Sequence, residues 1–184
     1  TVEKLAYRIG LNPADYTQWL QPDDGLGLPN SFYDYMPLRR FRIPNTVVAY
    51  WGGFDWIGSG KDWVYWDDNV AFLRFIGFHV VTHDHVPGNV QGLAAILRNH
   101  AAAQELHGLY FWGHGSIPYP AKHLMSHHGS DIVLTFATLN LPYKMALGLI
   151  FACDSNSGYY ALSSGTPGHK YHGYTGTLIP LPRH

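Results

Sequence analysis

The sequence predicts an α/β fold, a mostly parallel sheet flanked by helices, with a small helical N-terminal appendage. Three observations carry this. From Thr46 onward, near-continuous apolar runs alternate with helix-period segments, the pattern of parallel strands covered on both faces. The chain has 184 residues, 46% of them hydrophobic and 15% aromatic, enough for one core of ordinary size and too short for two full domains. Before Thr46 the rhythm differs: two short helical stretches and a Gly/Pro-rich loop, which sets a boundary between residues 1–45 and 46–184.

In the first unit, Thr1 is placed to cap a helix whose apolar face is Val2, Leu5, Ala6 and Ile9, with Gly10 as its stop. Asn12-Pro13 restarts a helix with proline at its first position, and Tyr16, Trp19 and Leu20 point inward. The loop "GLGLPNSFYDYMPLRRFRIPN" then closes with a short strand at Phe41 to Ile43.

The second unit opens with the strand "TVVAYW" (46–51) and the Gly-rich loop "GGFDWIGSGKDW". A helix over 67–78 is expected to bury Val70, Leu73 and either Phe75 or Ile76. "HVVTHDH" (79–85) reads as a strand, 88–104 as a helix, and "GLYFWGH" (108–114) as a third strand. Residues 116–146 give a weaker pattern, with "DIVLTF" (131–136) as an added strand. "MALGLIFAC" (145–153) is the fourth core strand, "GYYALSS" a helical turn, and "KYHGYTGTLIP" (170–180) a last strand. There is no internal repeat.

Charge narrows the function classes. The formal net charge is −1, and the densest basic stretch is "LRRFR" at 38–42, so the electrostatic footprint of a nucleic-acid binder is missing. No apolar run approaches a membrane span, and the N-terminus lacks the pattern of a signal peptide, so the chain reads as soluble. One cysteine rules out an intrachain disulfide framework and leaves the compartment undetermined.

That cysteine, Cys153, ends an apolar run, and so does His114 in "LYFWGHG". In an open α/β sheet, ligands collect beyond the carboxyl ends of the strands. Consecutive strands are usually neighbours, so the two side chains are expected to face each other. A thiolate is a strong nucleophile, and an adjacent imidazole can take its proton and return it to a leaving amine. Gly115 lets its backbone N–H approach a developing oxyanion, a donor worth about 3 kcal/mol in the transition state. The plainer alternative is a cysteine that is simply a small buried hydrophobe and a histidine in a loop.

"GLYFWGHG" followed by "GLIFACDS" resembles the paired signature of the caspase-like (clan CD) cysteine peptidases, over roughly residues 46–180 and including "YHGYTGTLIP". The resemblance implies a His114–Cys153 dyad, an oxyanion hole from the N–H groups of Gly115 and Cys153, a protein or peptide substrate, and no cofactor or metal. Metacaspase-like members carry an acidic residue two places before the cysteine, where this chain has Phe151. Asp154, or Asp55 in the "GGFDW" loop, is then the candidate acidic substrate-binding residue. Residues 1–45 resemble part of a LysM module that lacks its usual first strand, the alternative being a packing appendage. Such a composite suits a toxin or effector domain released from a larger polypeptide.

Two rival readings remain. A metal-dependent hydrolase or nuclease would draw on His83 and His85 in "HDH" and on His127 and His128, although no recognised ligand motif completes them. A non-catalytic binding domain would keep the sheet and lose the dyad geometry.

Overall fold

The computed structural model describes residues 1–53, 60–116, 119–126 and 130–178. Asp55, His127 and His128 lie outside the described residues, as do the last two positions of the expected strand 170–180.

Helix α1 (Val2–Ile9) is capped by the Thr1 hydroxyl, which accepts from Lys4 N–H, and stopped by Gly10 in the left-handed conformation at φ 82°. A 3₁₀ turn begun by Asn12 and Pro13 leads into α2 (Tyr16–Trp19). The strand at Phe41 is shorter than expected, β2 (Phe41–Arg42), and pairs antiparallel with β1 (Gln21–Pro22), a pairing the sequence pattern does not announce. The first helices do not stand apart: Val2, Ala6, Leu11, Trp19 and Leu20 are buried in one cluster with Leu93, Leu97, Phe111 and Ile150. The Gly10 carbonyl accepts from the Ser164 and Thr166 hydroxyls at 2.5 and 3.0 Å, which fastens this segment to the far end of the chain.

The central sheet has five parallel strands: β3 (Thr46–Trp51), β4 (His79–Asp84), β5 (Leu106–Trp112), β9 (Leu147–Phe151) and β10 (Lys170–His172). Their order is β10-β9-β5-β3-β4. Side chains alternate between the two faces. Val47, Ala49 and Tyr110 pack with Trp66, Val70 and Leu73 of α3 (Trp66–Phe75). Val48, Tyr50, Leu109 and Phe111 pack with Leu93, Ala94 and Leu97 of α4 (Gly92–Ala102). Because β4 lies on one side of β3 and β5 on the other, the winding reverses between β3 and β5. The carboxyl ends of such a pair border the crevice where open α/β sheets hold ligands.

Three expectations change. Phe75 and Ile76 are exposed and Trp66 is the third inward residue of α3, because the helix ends at Phe75 before the chain turns through Gly77. The last strand is only Lys170–His172, since residues beyond it pair with a loop instead of a strand. The stretch after β5 holds a second sheet that the sequence pattern only half discloses. Strands β6 (His114–Gly115), β7 (His123–Met125) and β8 (Ile132–Thr135) run antiparallel in that order and bury Leu124, Val133 and Leu134 on the α4 face. Helix α5 (Tyr159–Leu162) covers the same face. No helix among the described residues is long and apolar enough to cross a membrane.

Candidate active site

Strands β5 and β9 are hydrogen-bonded neighbours in register, with Trp112 opposite Phe151. Their rings stack at 4.4 Å with planes 3° apart, so the two carboxyl ends are held level. Each strand is followed by the residue of interest two positions on. Gly113 N–H donates to Phe151 O at 3.2 Å, and His114 starts β6 opposite Met125. On the other strand Ala152 is buried and Cys153 is half-buried and free.

Gly115 is the point of closest approach. A Cβ there would stand 1.8 Å from the Cys153 carbonyl oxygen and 3.3 Å from its nitrogen, so only glycine fits. The direction of its N–H follows from the β6–β7 ladder. Ser116 N–H donates to His123 O, making that a hydrogen-bonded pair. Antiparallel pairs alternate, so the Gly115 N–H is directed away from β7.

The chain after β10 returns over the cysteine. Asn156 N–H donates to Tyr174 O and Asp154 N–H to Gly176 O, both at 2.9 Å, and Leu178 N–H reaches Cys153 Sγ at 3.3 Å. Asp154, left-handed at φ 52° and 8% exposed, accepts from Gly176 N–H at 2.6 Å through Oδ1. One carboxylate oxygen of the candidate acidic residue is thus engaged by the chain's own loop.

His83 and His85 take different surroundings. His85 bridges Tyr50 and Asp131: its Nδ1 lies 2.9 Å from the Tyr50 hydroxyl and its Nε2 2.8 Å from Asp131 Oδ2. Since a carboxylate only accepts, Nε2–H donates to Asp131, and in the neutral imidazole the Tyr50 O–H donates to Nδ1. Burial, then the Asp131 charge, pushes the Tyr50 hydroxyl up to about 12. Gly88 N–H and then His85 hold the Asp131 carboxyl below its ordinary range. Both ring nitrogens of His85 are occupied by this chain. His83 is depressed by burial and by His100. Among the described residues no group of three or more His, Cys, Asp or Glu side chains is placed to hold a metal ion. Tyr50 and Asp131 are absent from the sequence reading because they stand 35 and 46 residues from His85, and no motif links them.

Fold and site together define a parallel α/β protein with a cysteine and a histidine at the carboxyl ends of adjacent strands. Compared with protein-family models, with curated proteins and with solved structures, the chain has no significant match in any of the three.

Proposed function

We propose that the protein is a cysteine endopeptidase of caspase-like type, using His114 and Cys153. The observation that carries this reading is the seating of Gly115 against the Cys153 backbone at the ends of paired strands. His114 and Cys153 each follow the carboxyl end of one of these strands by two positions, and β5 borders the winding reversal. A buried cysteine of purely structural use has no need of that edge, of partial exposure, or of an adjacent Gly-His-Gly turn.

In this reading the His114 imidazole takes the Sγ proton as sulfur attacks the scissile carbonyl carbon. The tetrahedral oxyanion accepts from the N–H groups of Gly115, in β6, and Cys153, in the turn after β9. Collapse breaks the C–N bond, and the imidazolium gives its proton to the departing amine. Water, deprotonated by His114, then attacks the thioester and releases the acid, restoring the thiol. Asp154 holds the 174–178 run beside the nucleophile. The packing of Val2, Ala6, Leu11, Tyr16, Trp19 and Leu20 into the shared core supports a structural role for the N-terminal unit.

The test is incubation of the protein with a proteome, wild type beside Cys153→Ala and His114→Ala, with mapping of new N-termini. Cleavages present only in the wild type and abolished by iodoacetamide support the proposal. Activity that survives alkylation and disappears with chelator would replace it with a metal-dependent hydrolase. Absence of any Cys153-dependent product would leave a binding domain.

A further inference from the structure

A cavity of about 560 Å³ opens between the small antiparallel sheet and the turn after Cys153, whose Asn156 and Ser157 line it. Its walls are Tyr119, Ala121, Phe136 and Tyr160, with Asn156 and Lys122 at the polar margin. Phe136 belongs to the core on the α4 face of the central sheet. The 174–178 run sits on the opposite face, where Leu178 packs in the α3 cluster and the Tyr174 ring lies 6.0 Å from Phe151. The Phe136 wall and the Leu178 end of that run therefore pack on different faces of the sheet, while Asn156, at the cavity margin, donates its N–H to Tyr174 O.

Two short ties couple this cavity to the site. The Ser157 hydroxyl spans Asp154 O and Ala121 O, 2.8 and 2.5 Å away, joining the loop after Cys153 to one wall. The Ser116 hydroxyl accepts from Lys122 N–H and His123 N–H at 2.8 and 3.1 Å, joining another wall to the residue that follows Gly115. These bonds tie the walls to the segments that carry Gly115 and Cys153.

Resting on the peptidase reading, we infer that this cavity receives an aromatic or large aliphatic side chain of the substrate peptide next to the bond that Cys153 cleaves. Its chemistry selects that class. The lining is mainly aromatic and apolar, it includes no carboxylate among the described residues, and its one ammonium, on Lys122, disfavours a basic side chain. An apolar pocket with a few polar groups at its margin discriminates by size and hydrophobicity.

The experiment has two arms. In the first, N-acetyl-phenylalanine methylamide and N-acetyl-alanine methylamide are titrated into the labelled full chain while backbone amide shifts are followed. Shifts at Ala121, Lys122, Ala137 and Asn156 with the phenylalanine compound, at least about tenfold weaker with the alanine one, support the cavity. Equal responses, or shifts elsewhere only, overturn it. In the second arm, Ala137→Leu, an exposed position on the rim, narrows the mouth. It should lower the ratio of kcat/KM for Phe-bearing over Ala-bearing peptides about tenfold, and an unchanged ratio overturns the assignment. If neither peptide is cut by the wild type, the peptidase reading fails, and the amide shifts alone decide whether the cavity binds apolar side chains.

Discussion

Gly115 presses its Cα against the carbonyl of Cys153, where a methyl group would stand 1.8 Å from the oxygen. The atom in the way is backbone, so it cannot rotate aside as a flexible side chain would. Gly115→Ala must therefore push β6 away from the loop after β9. The expected result is a loss of about 1–3 kcal/mol in stability by thermal or denaturant unfolding, the range for steric overpacking. Peptide cleavage should fall about a hundredfold or more as the Gly115 N–H leaves its position. Full turnover in this variant would remove Gly115 from the site.

His114 and Cys153 act as a unit in the proposed reaction, so their removal should be non-additive. Cys153→Ala, His114→Ala and the double variant should all reach the same low rate. Iodoacetamide should label Cys153 in the native protein, because the residue is only half-buried, and labelling should slow in His114→Ala. Two independent losses that multiply in the double variant would rule out the pair.

Much of this architecture is legible in the sequence because parallel strands buried on both faces are nearly unbroken apolar runs. Runs 46–51, 79–85, 108–114 and 145–153 disclose four of the five central strands. The ends of two of them point to His114 and Cys153, and β5–β9 pairing brings these to one edge. The sheet β6-β7-β8 is less legible, since strands of two to four residues carry too few positions to show a period. Tyr and Thr in "YHGYTGTLIP" suggest a long strand, whereas Gly173 and Gly176 let that stretch lie against residues 154–156. The Asp154–Gly176 bond and the Tyr50–His85–Asp131 chain join distant positions, and local pattern has no access to them.

Asp154 satisfies two demands at once, a left-handed backbone that Asp and Asn tolerate and an acceptor for Gly176 N–H. Asp154→Ala fails both and is expected to cost about 1–3 kcal/mol. Asp154→Asn keeps an acceptor oxygen and should fall between alanine and wild type. Hydrogen exchange at the Gly176 amide reports the release directly. A change in which side chain precedes the cut, larger than the change in turnover of a neutral peptide, would show that Asp154 also meets the substrate.

The Tyr50–His85–Asp131 chain predicts a stability pattern separable from catalysis. Tyr50 is 1% exposed, so His85→Ala leaves its hydroxyl buried without the ring nitrogen that accepts from it. The expected cost is about 1–3 kcal/mol. Tyr50→Phe removes the hydroxyl itself and should cost less. The double variant should cost less than the sum, the signature of a shared bond in a double-mutant cycle. Strict additivity would mean that the contact contributes nothing.

His107 is expected to make stability sensitive to acid. The ring is largely buried, lies tilted against Phe78 with centroids 4.7 Å apart and donates from Nδ1 to Pro44 O at 3.2 Å. Burial brings it down to about 4, with the Pro44 carbonyl opposing in the smaller measure. In the unfolded chain a histidine titrates near 6.5. Between those values the unfolded state binds more protons than the folded one, so stability rises with pH across the window and is lost as pH falls from about 6.5 to about 4. The separation corresponds to about 3 kcal/mol from this one group. His83, also depressed by burial, acts in the same direction. His107→Gln retains a donor for Pro44 and removes the titration. Denaturant unfolding of wild type and variant at closely spaced pH should show the wild-type curve falling below about 6.5 and the variant curve flatter over the same range. Parallel curves would mean that His107 is not the group whose burial makes the fold sensitive to acid.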